Sequence, residues 1–292
     1  MIYELKQKIR HSRAGEVFAK FVEKTPLFPF CYWVLWVMGL SEPKASTGQT
    51  KEDGQKYFGA NEEKIKKIVS LLADEKSKEV FLKNIKLRSI GFWFMRGTPQ
   101  DQYFPKDIVQ LSEEEVFIDC GAYNGDTIAK FRQSSRDRYK KIVAFEPLEE
   151  QAQKILAQNN PRCEVLPYGA WNEKGEQIFY LSDMCSKVGS LVKGDETPAE
   201  KTTIQLEKID NLETCSQMTF LKMDIEGAEL NALKGAEQTI RRQRPKLAIC
   251  IYHSNEDMLE IPLWVASLDM GYKLYVRHHE KYSLADTVLY AV

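Results

Sequence analysis

The chain has 292 residues, 43% hydrophobic and 28% charged, the balance of a globular protein with room for one large domain or two smaller ones. Its 41 basic and 42 acidic residues give a net charge of -1, so no basic field points to nucleic acid. Six scattered cysteines make no C-x-x-C pair and four histidines no zinc spacing, which argues against a disulfide framework and fits a reducing, cytoplasmic setting.

Residues 1–24 read as an amphipathic helix, and the start of the chain carries no signal-peptide pattern. The apolar run 27–40 is shorter than the ~20 residues a spanning helix needs, and Pro29 interrupts it. Two readings fit it: a helix packed on the body, or a patch against a membrane surface or a dimer partner, anchored by Trp33 and Trp36. Residues 42–55, rich in Gly, Ser, Thr, Lys and Pro, read as an exposed loop. Asn61 is the candidate N-cap of the next helix. Glu62 and Glu63 sit in its first turn, and Ile65, Ile68, Val69 and Leu72 form its stripe. A further helix begins near Ser77 and turns Val80, Phe81 and Ile85 inward. The aromatic stretch 91–105, with Phe92, Trp93, Phe94, Tyr103 and Phe104, ends an N-terminal helical cap region, 1–106, and stands where it could wall a cleft.

Over 107–292 strand and helix patterns alternate, the mark of an α/β fold with a mostly parallel sheet. The first strand, 116–120, breaks at Gly121 and Gly125 before a helix that starts near Thr127. The second, 142–145, ends at Glu146-Pro147, and a helix follows over 149–158. The third, 163–166, leads to Gly169-Ala170. Segments 177–181 and 202–206 read as short strands of an insertion around a polar loop, 182–201. The fourth main strand, 219–223, runs into Asp224-Ile225-Glu226-Gly227. A single helix carrying Leu230, Leu233, Ala236 and Ile240 then stops before Pro245. The fifth strand, 246–251, meets Tyr252-His253. A helix over 256–269 and strands at 272–276 and 287–292 close the chain, the last one antiparallel.

The carboxyl ends of parallel strands share one edge, so Asp119, Glu146, Asp224 with Glu226, and His253 are expected around one crevice. The G-x-x-x-G loop lacks the third glycine of the dinucleotide fingerprint. Its acids, Asp119 and Asp126, would repel a pyrophosphate and suit an ammonium, hydroxyls or a sulfonium; S-adenosylmethionine carries all three. Glu146, 27 positions after Asp119, suits a ribose, whose two hydroxyls a carboxylate accepts together. Asp224 or Glu226 would orient an acceptor hydroxyl, take its proton or bind a metal, while Glu229 reads as a first-turn acid favoured by the helix dipole. His253 is either a general base or a hydrogen-bonded strand-end histidine. Asp224, Glu226 and His253 also suit a hard divalent cation, but their spacing does not demand one and no metal is expected.

Phe117-Ile118-Asp119-Cys120-Gly121-Ala122-Tyr123-Asn124-Gly125-Asp126-Thr127, Phe145-Glu146-Pro147 and Leu221-Lys222-Met223-Asp224-Ile225-Glu226-Gly227-Ala228-Glu229 resemble the successive motifs of the FkbM-type methyltransferases. The resemblance covers about 116–292. It implies a Rossmann-like class I methyltransferase sheet, S-adenosylmethionine as cofactor, and O-methylation of a hydroxyl on a sugar, cell-surface glycan precursor or natural product. Asp119, Gly121 and Glu146 match positions that contact the cofactor in such folds. With Ala122, Tyr123, Gly125, Asp126, Pro147, Gly169 and Ala170 they make up the expected cofactor set. Asp224, Glu226 and His253 form the candidate catalytic set. The expected partner is a small-molecule or glycan acceptor. Two rival readings stand beside this one: an NAD-dependent enzyme on the same sheet, and a non-catalytic module that presents the cap to a partner.

Overall fold

The structure, a computed structural model, describes residues 51–91, 95–98, 102–181, 189–190, 200–280 and 283–292. The expectations for the helix 1–24, the run 27–40, loop residues 42–50, Phe92, Trp93 and Phe94, and loop stretches 182–188 and 191–199 lie outside the described residues.

The strands in chain order are β1 (Val116–Cys120), β2 (Lys141–Phe145), β3 (Cys163–Leu166), β4 (Gly169–Ala170), β5 (Gly175–Leu181), β6 (Gly189–Ser190), β7 (Glu200–Glu207), β8 (Phe220–Met223), β9 (Lys246–Cys250), β10 (Leu274–His278) and β11 (Thr287–Ala291). The helices are α1 (Lys51–Ala60), α2 (Glu62–Leu71), α3 (Glu75–Ser89), α4 (Asp126–Ser135), α5 (Glu149–Ala157), α6 (Glu229–Lys234), α7 (Glu237–Gln243) and α8 (Asn255–Ser267).

Among the described residues, seven strands form the main sheet in the order β10-β11-β9-β8-β1-β2-β3. β9, β8, β1, β2 and β3 pair in parallel. β11 runs antiparallel between β9 and β10. Strands covered on both faces must be apolar nearly throughout, and β1 and β8 are buried at every position. Their alternating side chains feed two cores. Ile118, Cys120, Leu221 and Met223 point to one. Phe117 and Phe220 point to the other, where Phe117 stacks on Phe131 with ring centres 4.4 Å apart and Phe104 meets Phe220 edge-on.

Phe58, Ile68 and Phe81 of the N-terminal helices bury in the same cluster as Ile118 and Leu221. Ala73 N donates to Leu274 O (2.8 Å), which continues the β10 edge, and Arg277 reaches Asp74 at 2.7 Å. A smaller sheet, β4-β7-β5-β6, stands beside the strand ends.

Several boundaries differ from the sequence reading. Residues 51–55 are helical, not loop, because α1 carries Phe58 into the core (3% exposed) and extends back from that anchor. Asn61 holds the N-cap position of α2 without capping it; its amide donates to Tyr57 O instead. α3 starts at Glu75, two residues early, because Asp74 accepts from Ser77 N at 2.7 Å and fixes the start. Gly189–Ser190 pairs with β5, and Glu200–Lys201 belongs to β7, so these residues of the expected loop are strand. The single helix expected after residue 229 is two. Gly235 packs so closely on the Trp171 carbonyl that no Cβ fits, and Asp210 accepts from Thr239 N (2.8 Å) and Gln238 N (3.1 Å) to start α7 afresh.

Candidate active site

β1 ends in Cys120, and the chain turns at Gly121 with φ 78°, a left-handed conformation that only glycine adopts freely. Gly121 N and Ala122 N both donate to Phe145 O, which ties this turn to the end of β2 (3.1 and 3.2 Å). A side chain on Gly121 would collide with the carbonyl oxygen of Asp224 at the end of β8. Three strand ends therefore meet at this one turn.

Asp119, expected in the cofactor set, does not border the cavity described below. It is wholly buried, and its Oδ1 lies 2.9 Å from Lys222 Nζ, its partner in the β1–β8 register. Lys222 Nζ also donates to Gly121 O (2.9 Å), and its ammonium stands 5.2 Å over the Tyr103 ring. Burial would strip the proton from Lys222; Asp119 and then Asp224 outweigh it and hold the group charged. Asp119 thus anchors the cation that anchors the loop.

Glu146 is positioned differently. Tyr123 N donates to its Oε2 at 2.8 Å and Leu148 N to its Oε1 at 2.9 Å. Burial raises its carboxyl to about 7 against these two hydrogen bonds. The carboxylate borders a cavity of about 300 Å³ that opens along the strand ends. Gly121, Tyr123, Asp126, Pro147, Gly169 and Ala170 border it as well. Ala122 and Gly125 do not: Ala122 is fully buried, and Gly125 is the N-cap of α4.

At the other end of the cavity the chain after β8 doubles back through Glu226 and Gly227, both at positive φ (58° and 94°). Glu229 holds this turn. It is fully buried and accepts from Ile225 N (2.8 Å) and Gly227 N (3.0 Å), so it is more than the first-turn acid of the sequence reading. The turn points Asp224 and Glu226 into the cavity. Tyr103 and Tyr252 donate to the two oxygens of Asp224 at 2.8 and 3.0 Å. Burial alone would raise Asp224, but His253, Lys222 and the two hydroxyls hold it below its usual range.

His253 stands behind this pair, 1% exposed and off the cavity wall. Its Nδ1 faces Glu229 Oε1 at 3.1 Å, and its Nε2 lies 3.4 Å from Asp224 Oδ1 and 3.5 Å from Glu226 Oε2. Burial opposes its charge; Glu229, then Glu226 and Asp224, lift it to about 10.

Lys222, Tyr103, Tyr252 and Asp286 are site groups the sequence reading did not assign. Asp286, in the turn before β11, borders the cavity, and burial with the nearby Asp224 raises it to about 7. Its signal was absent, because it lies 62 positions after Asp224 and only the strand order brings the two together. Tyr103 alone carried a hint, as part of the aromatic stretch.

A ligand cavity at the carboxyl edge of a parallel sheet, with one antiparallel strand between the fifth and its neighbour, defines the class I S-adenosylmethionine methyltransferase fold. The sequence model for the methyltransferase FkbM domain matches residues 119–274, more than half of the chain. The chain belongs to the FkbM methyltransferase family. The fold is similar to that of methyltransferase FkbM from Methylobacillus flagellatus, with TM-score 0.69 and 23% identity over 89% of this chain. The chain spans 65% of the length of that protein. An rRNA methylase from Streptococcus thermophilus aligns with TM-score 0.39 and 15% identity, over 62% of this chain and 87% of that one. A methyltransferase from Streptococcus mutans in complex with SAH aligns with TM-score 0.35 and 11% identity, over 62% of this chain and 91% of that one. A comparison with curated proteins finds no match. Among the described residues, no helix is long and apolar enough to cross a membrane.

Proposed function

We propose that the chain binds S-adenosylmethionine in this cavity and transfers its methyl group to a hydroxyl of a neutral, polyhydroxylated acceptor: a sugar, a glycan precursor or a natural product. Glu146 carries the reading. Two backbone N–H groups hold its carboxylate at the end of β2, and its remaining lone pairs face a cavity. That is what a ribose needs, since both hydroxyls donate to one rigid acceptor. The loop beside it suits a sulfonium, with Asp126 on the cavity wall and no third glycine to admit a pyrophosphate.

The acceptor class follows from charge. Asp126, Glu146, Asp224, Glu226 and Asp286 border the cavity against Lys130 and Lys222, and Asp119 already neutralises Lys222. Burial lifts Glu146, Glu226 and Asp286 to about 7, yet the carboxyl groups still outnumber the cations, so the wall disfavours a phosphorylated acceptor and suits one that offers hydroxyls. In the transfer, the acceptor oxygen bonds the methyl carbon as the carbon–sulfur bond breaks. S-adenosylhomocysteine leaves, and the hydroxyl proton passes to the Asp224–Glu226 pair. The side chains of Tyr103, Phe179 and Leu206 supply the apolar part of the wall that limits water.

Calorimetry tests the reading. The protein is expected to bind S-adenosylhomocysteine and not NAD. Glu146→Ala removes two charge-assisted hydrogen bonds of ~1.5–3 kcal/mol each, a loss of roughly a hundredfold or more in affinity. Preference for NAD, or equal affinity in the variant, would overturn the assignment. Mass spectrometry of neutral glycans incubated with protein and methyl-labelled cofactor identifies the acceptor.

A further inference from the structure

We infer that Glu226 is the general base of the transfer, the one acid on the cavity wall that takes the proton of the acceptor hydroxyl. The inference rests on the proposed methyl transfer and divides the Asp224–Glu226 pair into two roles. Asp224 is already engaged. Its two oxygens accept from Tyr103 Oη (2.8 Å) and Tyr252 Oη (3.0 Å), and its Oδ1 stands 3.4 Å from His253 Nε2. Two donors and a neighbouring cation favour its ionised form, so it takes a proton poorly and accepts hydrogen bonds well. Glu229 is fully buried and fixed by Ile225 N and Gly227 N. His253 is unsuited for another reason. Its ring is 1% exposed, lies off the cavity wall, and is enclosed by Glu229 at 3.1 Å, Asp224 at 3.4 Å and Glu226 at 3.5 Å. Against burial, these three carboxylates hold it as an imidazolium, which has no lone pair to offer.

Glu226 differs from all three. It borders the cavity, and its side chain is the most exposed of the group, 29% against 22% for Asp224 and 0% for Glu229. It reaches the wall from a left-handed backbone, φ 58°, which a residue with a Cβ rarely adopts. Strain of that kind gathers at functional sites, where a side chain must be aimed. The groups that face its carboxyl are His253 after β9, Asp224 on its own turn, Glu229 of α6 and Asp286 before β11. Burial and the three acids raise it to about 7 against the pull of the imidazolium. A base works best when its proton affinity matches the working pH, so that it is both ionised and strong enough to pull. In the transfer the acceptor O–H bond breaks as its oxygen bonds the methyl carbon. The carbon–sulfur electron pair leaves with sulfur, and the proton ends on Glu226, which returns it to water. Asp224, on the same wall, is left to orient the hydroxyl.

Asp286 is the competing base, since it borders the same cavity and also sits near 7. Single-turnover transfer from methyl-labelled S-adenosylmethionine to the neutral glycan found by mass spectrometry separates the two. The full-length protein is saturated with cofactor, which removes the titration of Glu146 from the profile. The wild-type rate is expected to level off above about 7 and to fall about tenfold per pH unit below it. Glu226→Gln is expected to lose about a hundredfold or more in rate together with that inflexion, and to bind S-adenosylhomocysteine as the wild type does. Asp224→Asn is expected to slow transfer and keep an inflexion. A Glu226→Gln protein that keeps the wild-type rate or the wild-type inflexion overturns the assignment and hands the role to Asp286. Should Glu226→Gln fail to fold, Glu226→Asp decides: a slower rate with a moved inflexion supports the base, and an unmoved inflexion overturns it. Transfer by the wild type that Glu226→Gln leaves intact sinks this inference alone, whereas a wild type that transfers no label to neutral glycans sinks the parent reading and this one with it.

Discussion

Lys222→Met is the sharpest test of how the cofactor loop is built. The substitution keeps most of the side-chain length and removes the charge. It strands Asp119, which is wholly buried with Lys222 as its ion-pair partner at 2.9 Å, and it deprives Gly121 O of its donor. Removing one member of a buried pair costs about 3–5 kcal/mol, because the other charge stays behind without compensation. That is a large share of the ~5–15 kcal/mol that holds a domain together. Urea unfolding should show the loss as a lower midpoint at unchanged slope. The double variant Lys222→Met/Asp119→Asn removes the stranded charge and should recover part of the loss. The pH dependence has a definite sign. Burial already holds the carboxyl of Asp119 above its usual range against the pull of Lys222, and losing that cation raises it further. The folded state then binds more protons than the unfolded one, and the deficit against wild type narrows as pH falls. A loss under about 1 kcal/mol, or a double variant no better than the single, would refute the account.

Glu146 titrates near 7 through burial, so below that pH the free protein carries a proton where a ribose needs an ionised acceptor. Affinity for S-adenosylhomocysteine should fall as pH drops from 8 to 5.5, by up to about tenfold per unit below the pKa; calorimetry showing a flat profile would remove Glu146 from the ribose role. Gly121→Ala should lower stability by about 1–3 kcal/mol from the left-handed backbone alone, with the collision against Asp224 O added, and should abolish ligand binding. A normal melting temperature and normal binding in that variant would mean the turn is looser than described.

The strands of the main sheet were legible because each is an apolar run cut off by a polar or glycine residue, and burial on both faces writes that pattern directly. The acids at the strand ends were legible for the same reason. What each acid does was not. Asp119 and Glu146 look alike in the sequence, yet one meets a lysine across the sheet and the other meets two backbone N–H groups. The difference lies in the β1–β8 register, which pairs residues 103 positions apart and leaves no local trace. Glu229 was misjudged because a first-turn position is normally exposed; here the turn through Glu226 and Gly227 folds over it. Tyr103 and Tyr252 reach Asp224 from opposite ends of the fold, a meeting that periodicity cannot express.

Arg88 gives the N-terminal helices a stake in the chemistry. Its guanidinium, 1% exposed, donates to Tyr252 O and to the side chains of Asn84 and Asn255, so a residue of α3 braces both neighbours of the loop that carries His253. Trimming this protein to the stretch its family shares, 119–274, would discard that brace together with β11, the strand wedged between β9 and β10. The smallest fragment of this chain that keeps the site braced must therefore reach beyond the matched stretch at both ends.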